Sequence, residues 1–558
     1  MLASSYLLAL LGLVCPALVG AQVPPSHQEV VNTTLAALGG VGPLSQLKGV
    51  TSQAKRIYRS RSLMQSYQPM RADTPVMSSG SQNVSYKLDG EHLQQRIDRH
   101  ATPSSNWQWG SSELKPLDFS LVVRDGDDGF ACYVKGNNLI HLASNVTSGY
   151  TDSALAHNLV IEAKMLSPHL LYRMRNVTVS ITDVEINGVV FQGIHDVQQG
   201  ITVVLDKQTK LPYIIRRIES HPIYGIAYKD LYLSFYKEVQ GIKFPHAIQT
   251  VYSAQNQHIS AVLEDFVIDQ VDIDPDFPTD FFDGIPESES LGLKSAPAAS
   301  SVVPNGLVTD YSSSMLGSGV PTGAREIKEA HNPIQGLSQV HWLVLNNNDA
   351  LGFKMVVIEF ENEVILCDAP PEWSQTIMKW VSDNLKKPIK YVAPSHHHRD
   401  HSGGVPDFVK AGATLIIPEI TLDYWSSIPN TKFITFNQTH PYVHRDSNIS
   451  AWFNWENQAA HASDWTYVVV TQRCAAPDSP VIAFEADAWE AGINIESSSM
   501  GQMRQWLDQI VVDGLPKHTV VFPSHGNIAT LRQLIENTAY PYPEYDVTHW
   551  RKGAAICK

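Results

Sequence analysis

The sequence predicts a mainly antiparallel β domain followed by an α/β domain. Three features carry that expectation. Before residue 284, short stretches alternate apolar with polar residues and are separated by turn pairs such as Asp125-Gly126 and Asn187-Gly188. After residue 339, strand-like and helix-like periodicities alternate, as they do where helices pack on sheets. Between the two, Ser, Pro, Gly and Ala dominate, as in Ser295-Ala296-Pro297-Ala298-Ala299-Ser300-Ser301, and periodicity is lost.

The elements follow in order. A helix over 28–38 stops at Gly39-Gly40. Strands are expected at 82–88, 119–123, 177–186, 200–205 and 231–236, in one or two antiparallel layers. Asn187-Gly188, between two apolar runs, reads as a tight hairpin turn. Residues 285–324 read as a linker or a connection along the surface. Strands at 356–360 and 363–367 flank an Glu361-Asn362 turn. A helix over 372–385 places Trp373, Ile377, Trp380, Val381 and Leu385 on one side and is stopped by Pro388. Then come strand 389–393, helix 405–411, strands 414–417, 467–471 and 481–484, helix 500–511 and strand 519–522. The domain expectation is therefore 22–284 mainly β, 325–540 α/β, and 541–558 a tail.

Composition narrows the function classes. Of 558 residues, 43% are hydrophobic and 17% charged, a balance that suits a folded chain. The formal net charge is −15 and no Lys/Arg run occurs, so the chain is a poor partner for nucleic acid. Residues 1–21 lack charge, carry the apolar run from Leu7 to Val14, and end in small residues to Ala21, the pattern of a secretory signal peptide. That run is too short to span a bilayer, and no stable membrane insertion is expected. The sequon Asn-X-Ser/Thr at Asn32, Asn83, Asn145, Asn176, Asn437 and Asn448 fits an exported glycoprotein. After cleavage, Cys132, Cys367, Cys474 and Cys557 remain, too few for a disulfide scaffold, and their pairing stays open. The oligomeric state also stays open.

The chemistry-bearing stretch is Ser395-His396-His397-His398-Arg399-Asp400-His401-Ser402-Gly403-Gly404, directly after a strand. Imidazole and carboxylate are zinc ligands, and a turn after a strand lets ligands from one segment converge. His396 and His398, two apart, point the same way on extended backbone. Asp400 and His401, past the bend, can serve a second cation, and Gly403-Gly404 allows a tight turn. Asp368, Asp487 and His525 each follow a strand, and His461 lies close to one, at the edge where α/β sites assemble. Ser395 and Ser402 flank the ligands, but nothing resembles a nucleophile elbow.

Asp368, His396-x-His398-x-Asp400-His401, His461, Asp487 and His525-Gly526, in that order, resemble the metallo-β-lactamase superfamily over about 325–535. The resemblance implies an αββα sandwich with metals at one edge. It implies that His396, His398 and His461 hold one cation, that Asp400, His401 and His525 hold another, and that Asp487 bridges them. Asp368 would orient the motif loop, and Asp400 would also carry the proton. His397 and Arg399 are non-ligand positions; Arg399 is expected to face solvent, with the cleft as the alternative. Two divalent metal ions are implied, zinc first, with manganese or iron suiting similar ligands. The implied protein is a secreted dinuclear-metal hydrolase whose bridging hydroxide attacks a lactone, ester or amide of a small molecule. An alkylsulfatase-like hydrolase, or a hydrophobe-binding carrier with a secondary metal site, are the alternatives. Residues 340–350, 418–465 and 488–500 would shape the substrate site; Trp425, Trp452, Trp455 and Trp489 are candidate walls, with plain packing favoured. In the amino-terminal half, Ala36-Ala37-Leu38-Gly39-Gly40 and Gly241-Ile242-Lys243-Phe244-Pro245 resemble LolA-like lipoprotein-carrier half-barrels.

Overall fold

The computed structural model describes residues 26–59, 78–103, 118–136, 148–254, 260–313 save 291 and 302, 325–345, 353–492 and 497–553. The segment expected to be a signal peptide, Asn145 and Cys557 lie outside these residues, as do 346–350 and 493–496 of the three segments expected to shape the substrate site.

The amino-terminal part is one antiparallel sheet of 14 strands rather than two layers. Its apolar face is filled by the helices His27–Ala37, Val41–Gln46, Ser153–Leu166 and Leu170–Met174, which bury Val31, Leu35, Ala156 and Met165. The Asn187-Gly188 turn joins strands Val179–Ile186 and Val189–Asp196, with positive φ at both positions (51° and 76°) as a tight hairpin turn requires. The two segments that resemble lipoprotein carriers dock on each other: Lys243 donates its backbone N–H to Leu38 O at 2.8 Å. A Cβ on Gly39, whose φ is 123°, would lie 2.0 Å from Gly241 O, so only glycine fits there.

The carboxy-terminal part holds two facing sheets. One has seven strands, from Ile327–His331 through Val364–Cys367 and Ile389–Ala393 to Lys432–Phe436. The other has six, from Tyr442–Arg445 through Val481–Glu485 and Val520–Pro523 to Ala529–Thr530. Ile358, Ile365, Phe453, Val468, Ile482 and Phe522 fill the space between them. The helix Ser374–Asn384 packs on the outer face of the first sheet through Ile377 and Val381, and Ser497–Asp513 packs on the second through Trp506 and Ile510. This is the αββα sandwich. Tyr224, Ala227, Tyr252 and Leu263 of the amino-terminal sheet join the outer core of the first sheet, so the two parts share apolar packing.

Two segments differ from the sequence reading. Within the stretch read as a linker, Asn305–Ser313 is a helix that buries Val308, Thr309, Asp310 and Tyr311. Composition hides it because its burial depends on strand Pro212–His221: Thr309 Oγ1 donates to Glu219 Oε1 at 3.0 Å, and a Cβ on Gly306 would meet Ser220 O at 2.6 Å. The segment read as a tail is also packed, with Val547 and Trp550 fully buried against the second sheet's outer core.

Candidate metal centre

Strand ends assemble the site. The parallel pair Val364–Cys367 and Ile389–Ala393 is in register at Cys367 and Ala393, so Asp368 and the histidine string leave the sheet side by side. The parallel pair Val481–Glu485 and Val520–Pro523, in register at Glu485 and Pro523, does the same for Asp487 and His525 on the facing sheet. His461 comes from the loop between Ile449–Trp455 and Thr466–Gln472. Trp455 steadies that loop by donating Nε1–H to Ser463 O at 2.9 Å, and Trp465 steadies the Asp487 loop by donating to Ala486 O at 2.5 Å. Asp368 and Asp487 both have left-handed backbone (φ 70° and 65°), a conformation Asp tolerates and one that recurs where a site dictates local geometry.

The structure brings the seven proposed ligands together. His396, His398, His461 and Asp487 offer one atom each within 4.8 Å of one another, and Asp400, His401, Asp487 and His525 do the same. His461 Nε2 lies 3.1 Å from His396 Nε2 and 3.0 Å from His398 Nδ1. Asp487 Oδ2 is 2.9 Å from His401 Nε2 and 3.1 Å from His461 Nε2, and Oδ1 is 3.3 Å from His525 Nε2. Asp487 is the member common to both groups.

The electrostatics suit cations. Burial, helped by the neighbouring imidazoles, holds His396 and His398 well below the usual histidine range, so both present neutral lone pairs. Burial works to raise Asp400 and Asp487, but the surrounding imidazoles outweigh it and keep both carboxyls well below their usual range. Burial alone would lower His525, yet Asp487 and Asp400 lift it to about 9. Both oxygens of Asp487 and the Nε2 atoms of His401 and His525 are buried without a hydrogen bond among the described residues. Buried polar atoms are ordinarily satisfied, and divalent cations would satisfy this set while displacing the protons.

Asp368 ties its own loop to two others. Its Oδ1 accepts from Ser395 N–H at 2.7 Å, and its Oδ2 accepts from His401 Nδ1 at 2.7 Å and from Ser524 Oγ at 2.9 Å. The bond at Nδ1 leaves His401 Nε2 facing the cluster. Phe353, its ring centroid 5.1 Å from those of His401 and His525, packs against both imidazoles. Ser402 Oγ donates to His397 O and His398 O at 2.9 Å each, a staple across the motif rather than a nucleophile.

Several expectations need correction. Arg399 does not face solvent: it is 2% exposed, its guanidinium stacked 3.5 Å from the Tyr311 ring centroid and its Nε 3.4 Å from Asp310 Oδ2. Both partners, Asp310 and Tyr311, come from the stretch expected to be a linker, so no local pattern points to this burial. Gly403 and Gly404 serve close packing rather than an unusual turn, since a Cβ on Gly404 would sit 2.7 Å from Pro370 O and one on Gly403 would sit 2.8 Å from Pro371 Cβ. Trp425, Trp452, Trp455 and Trp489, by contrast, are buried as the favoured packing reading has them. Sequence reasoning also missed Asp464, which bonds His397 Nδ1 at 2.8 Å, and Ser524. Their signals were local: an acid three residues past His461 and a hydroxyl directly before His525. Glu490 went unnoticed too; burial raises its carboxyl, against the pull of His525.

Behind the motif, Tyr311 OH donates to Glu372 Oε1. Burial lifts Glu372 from 4.5 to about 6, although Arg399 and Tyr311 pull the other way. The fold therefore favours the protonated acid, so this contribution to stability is complete below pH 4.5 and lost as pH rises through 6. The shift is worth about 2 kcal/mol. Glu372→Gln keeps an acceptor for Tyr311 and is expected to flatten the pH dependence of chemical denaturation in that window; parallel curves for the two proteins would contradict it.

Residues 354–429 match the family described as the metallo-beta-lactamase superfamily. No curated protein matches the chain. Among solved structures, "Metallo-beta-lactamase from Pontibacter korlensis" is 17% identical, covering 39% of this chain and 98% of its own, with a TM-score of 0.29. The metallo-β-lactamase from Hirschia baltica is 20% identical, covering 38% and 96%, with a TM-score of 0.28. The flavodiiron protein from Giardia intestinalis is 14% identical, covering 39% and 60%, with a TM-score of 0.30. The matched residues lie within the carboxy-terminal sandwich and take in the string from His396 to His401.

Proposed function

We propose that the chain is a dinuclear-metal hydrolase of a small lactone, ester or amide. The observation that carries this reading is the pair of four-ligand groups sharing Asp487. Two divalent cations held there, with zinc the first choice, would supply an acidified water and polarise a carbonyl. The chain's own residues do the rest. Asp400 and His461, with side chains 14% and 13% exposed, are the members that reach solvent, so substrate approaches from their side. Asp400 Oδ2 faces His401 and His525 (3.3 and 3.8 Å), while its buried Oδ1 makes no hydrogen bond among the described residues and would be placed to take the proton. Asp368, Ser524 and Phe353 keep the ligand rings from rotating.

Export and glycosylation belong to the same proposal. Their support is that Asn32, Asn83, Asn176 and Asn448 are exposed, with Asn437 partly so. No helix among the described residues is long and apolar enough to cross a membrane.

A carrier role keeps one specific observation in its favour. An apolar cavity lined by Leu44, Val84, Met165, Leu171, Ile215 and Phe266 lies in the amino-terminal part, away from the histidine cluster. A panel of lactones, esters, thioesters, phosphodiesters and alkyl sulfates against metal-loaded protein separates the readings. Turnover of lactones or esters, lost to a chelator and restored by divalent metal, is expected. Turnover of alkyl sulfates alone, or of nothing in the panel, would overturn the proposal.

A further inference from the structure

The guanidinium of Arg399 occupies an unusual place. It projects from the residue between His398 and Asp400 into the boundary between the two parts of the chain, and it is 2% exposed. None of its three nitrogens makes a hydrogen bond among the described residues, although Nε lies within ion-pair distance of Asp310 Oδ2. Its partners belong to no part of the sandwich's sheets: its Cζ sits over the Tyr311 ring, 3.5 Å from the centroid, and Asp310 flanks it, both on helix Asn305–Ser313. That helix is in turn tied to the amino-terminal sheet. Asp310 Oδ2 is 3.4 Å from His221 Nε2, and Thr309 bonds Glu219. Tyr311 OH reaches back to Glu372, just before the helix Ser374–Asn384.

Burying a cation is costly even beside a carboxylate, and an apolar side chain would fill the same space at less cost. What the cation gains here is direction. Stacking fixes the guanidinium plane and Asp310 fixes its azimuth, so the backbone of residue 399 has one place to be. His398 Nδ1 and Asp400 Oδ2 hang on either side of that backbone and must meet two different groups of ligands.

We propose that Arg399 is a positioning residue, anchored by Asp310 and Tyr311, through which the amino-terminal part of the chain sets the spacing of the ligand string. The inference rests on the proposed metal centre and adds that the centre is incomplete without the helix Asn305–Ser313.

The test uses the full-length chain loaded with cobalt(II), whose visible spectrum reports ligand geometry. In Arg399→Met, cobalt affinity is expected to fall about tenfold or more, the scale on which losing a group that orients ligands is felt. The cobalt spectrum is expected to shift, and kcat to drop while KM stays within about threefold. Arg399→Lys keeps the charge without the planar stack and should recover part of the affinity. Tyr311→Leu removes the stack from the far side and should shift the spectrum in the same direction; it decides the matter if Arg399→Met does not fold. Unchanged spectra and cobalt affinities in folded Arg399→Met and Tyr311→Leu would overturn the inference while leaving the metal centre standing. Wild-type chain that binds no cobalt would instead sink the proposed function.

Discussion

Asp487→Asn is expected to reduce hydrolysis by about a thousandfold or more, the scale seen when one essential electrostatic group is lost from an active site. Asp487 is the one residue in both ligand groups, and its two oxygens face His401, His461 and His525 within 3.3 Å. Asparagine has the same shape and tolerates the left-handed backbone at φ 65°, so the loop keeps its path. It replaces one oxygen with an NH2 group that cannot bind a cation and removes the negative charge. Alanine at this position would add backbone strain and confuse the result. A rate within tenfold of wild type would place the chemistry elsewhere.

The second large effect is expected at Asp368. An ionised carboxylate only accepts, so it can satisfy Ser395 N–H, His401 Nδ1–H and Ser524 Oγ–H together. In Asp368→Asn one of those donors must face an NH2 group. If that donor is His401, its proton moves to Nε2 and the ring loses its lone pair toward the cluster. Affinity for the second equivalent of metal is expected to fall 10- to 100-fold, about the range measured for groups behind metal ligands. Unsatisfied buried donors should also cost about 1–3 kcal/mol of stability. Metal titration of the apoprotein, with denaturation alongside, measures both. An unchanged second equivalent would show that Asp368 does not orient His401.

The clustered His and Asp side chains were legible because they are ionisable residues at or near strand ends, and strands such as Ile389–Ala393 and Val481–Glu485 announce themselves as short buried runs. The groups behind the ligands were less legible. Arg399 next to two ligands reads as a solvated charge until Asp310 and Tyr311 are placed, and no local pattern places them. Their helix lies among Ser-, Pro- and Ala-rich residues and is stabilised by Glu219 and His221, which are about 90 positions away in sequence. The amino-terminal sheet shows the same limit. Its hairpin at Asn187-Gly188 follows from turn chemistry, whereas the pairing of Gly49–Arg59 with Ser260–Val267 joins the chain's first and late strands and leaves no short-range trace.

If two cations share Asp487, the metal content of the full-length protein purified without chelator reports both of them. Elemental analysis should find two equivalents of divalent metal per chain, bound tightly enough to survive desalting. A correctly folded chain that holds none, and takes up none when zinc, manganese or iron is supplied, would leave Asp487 with no cations to share.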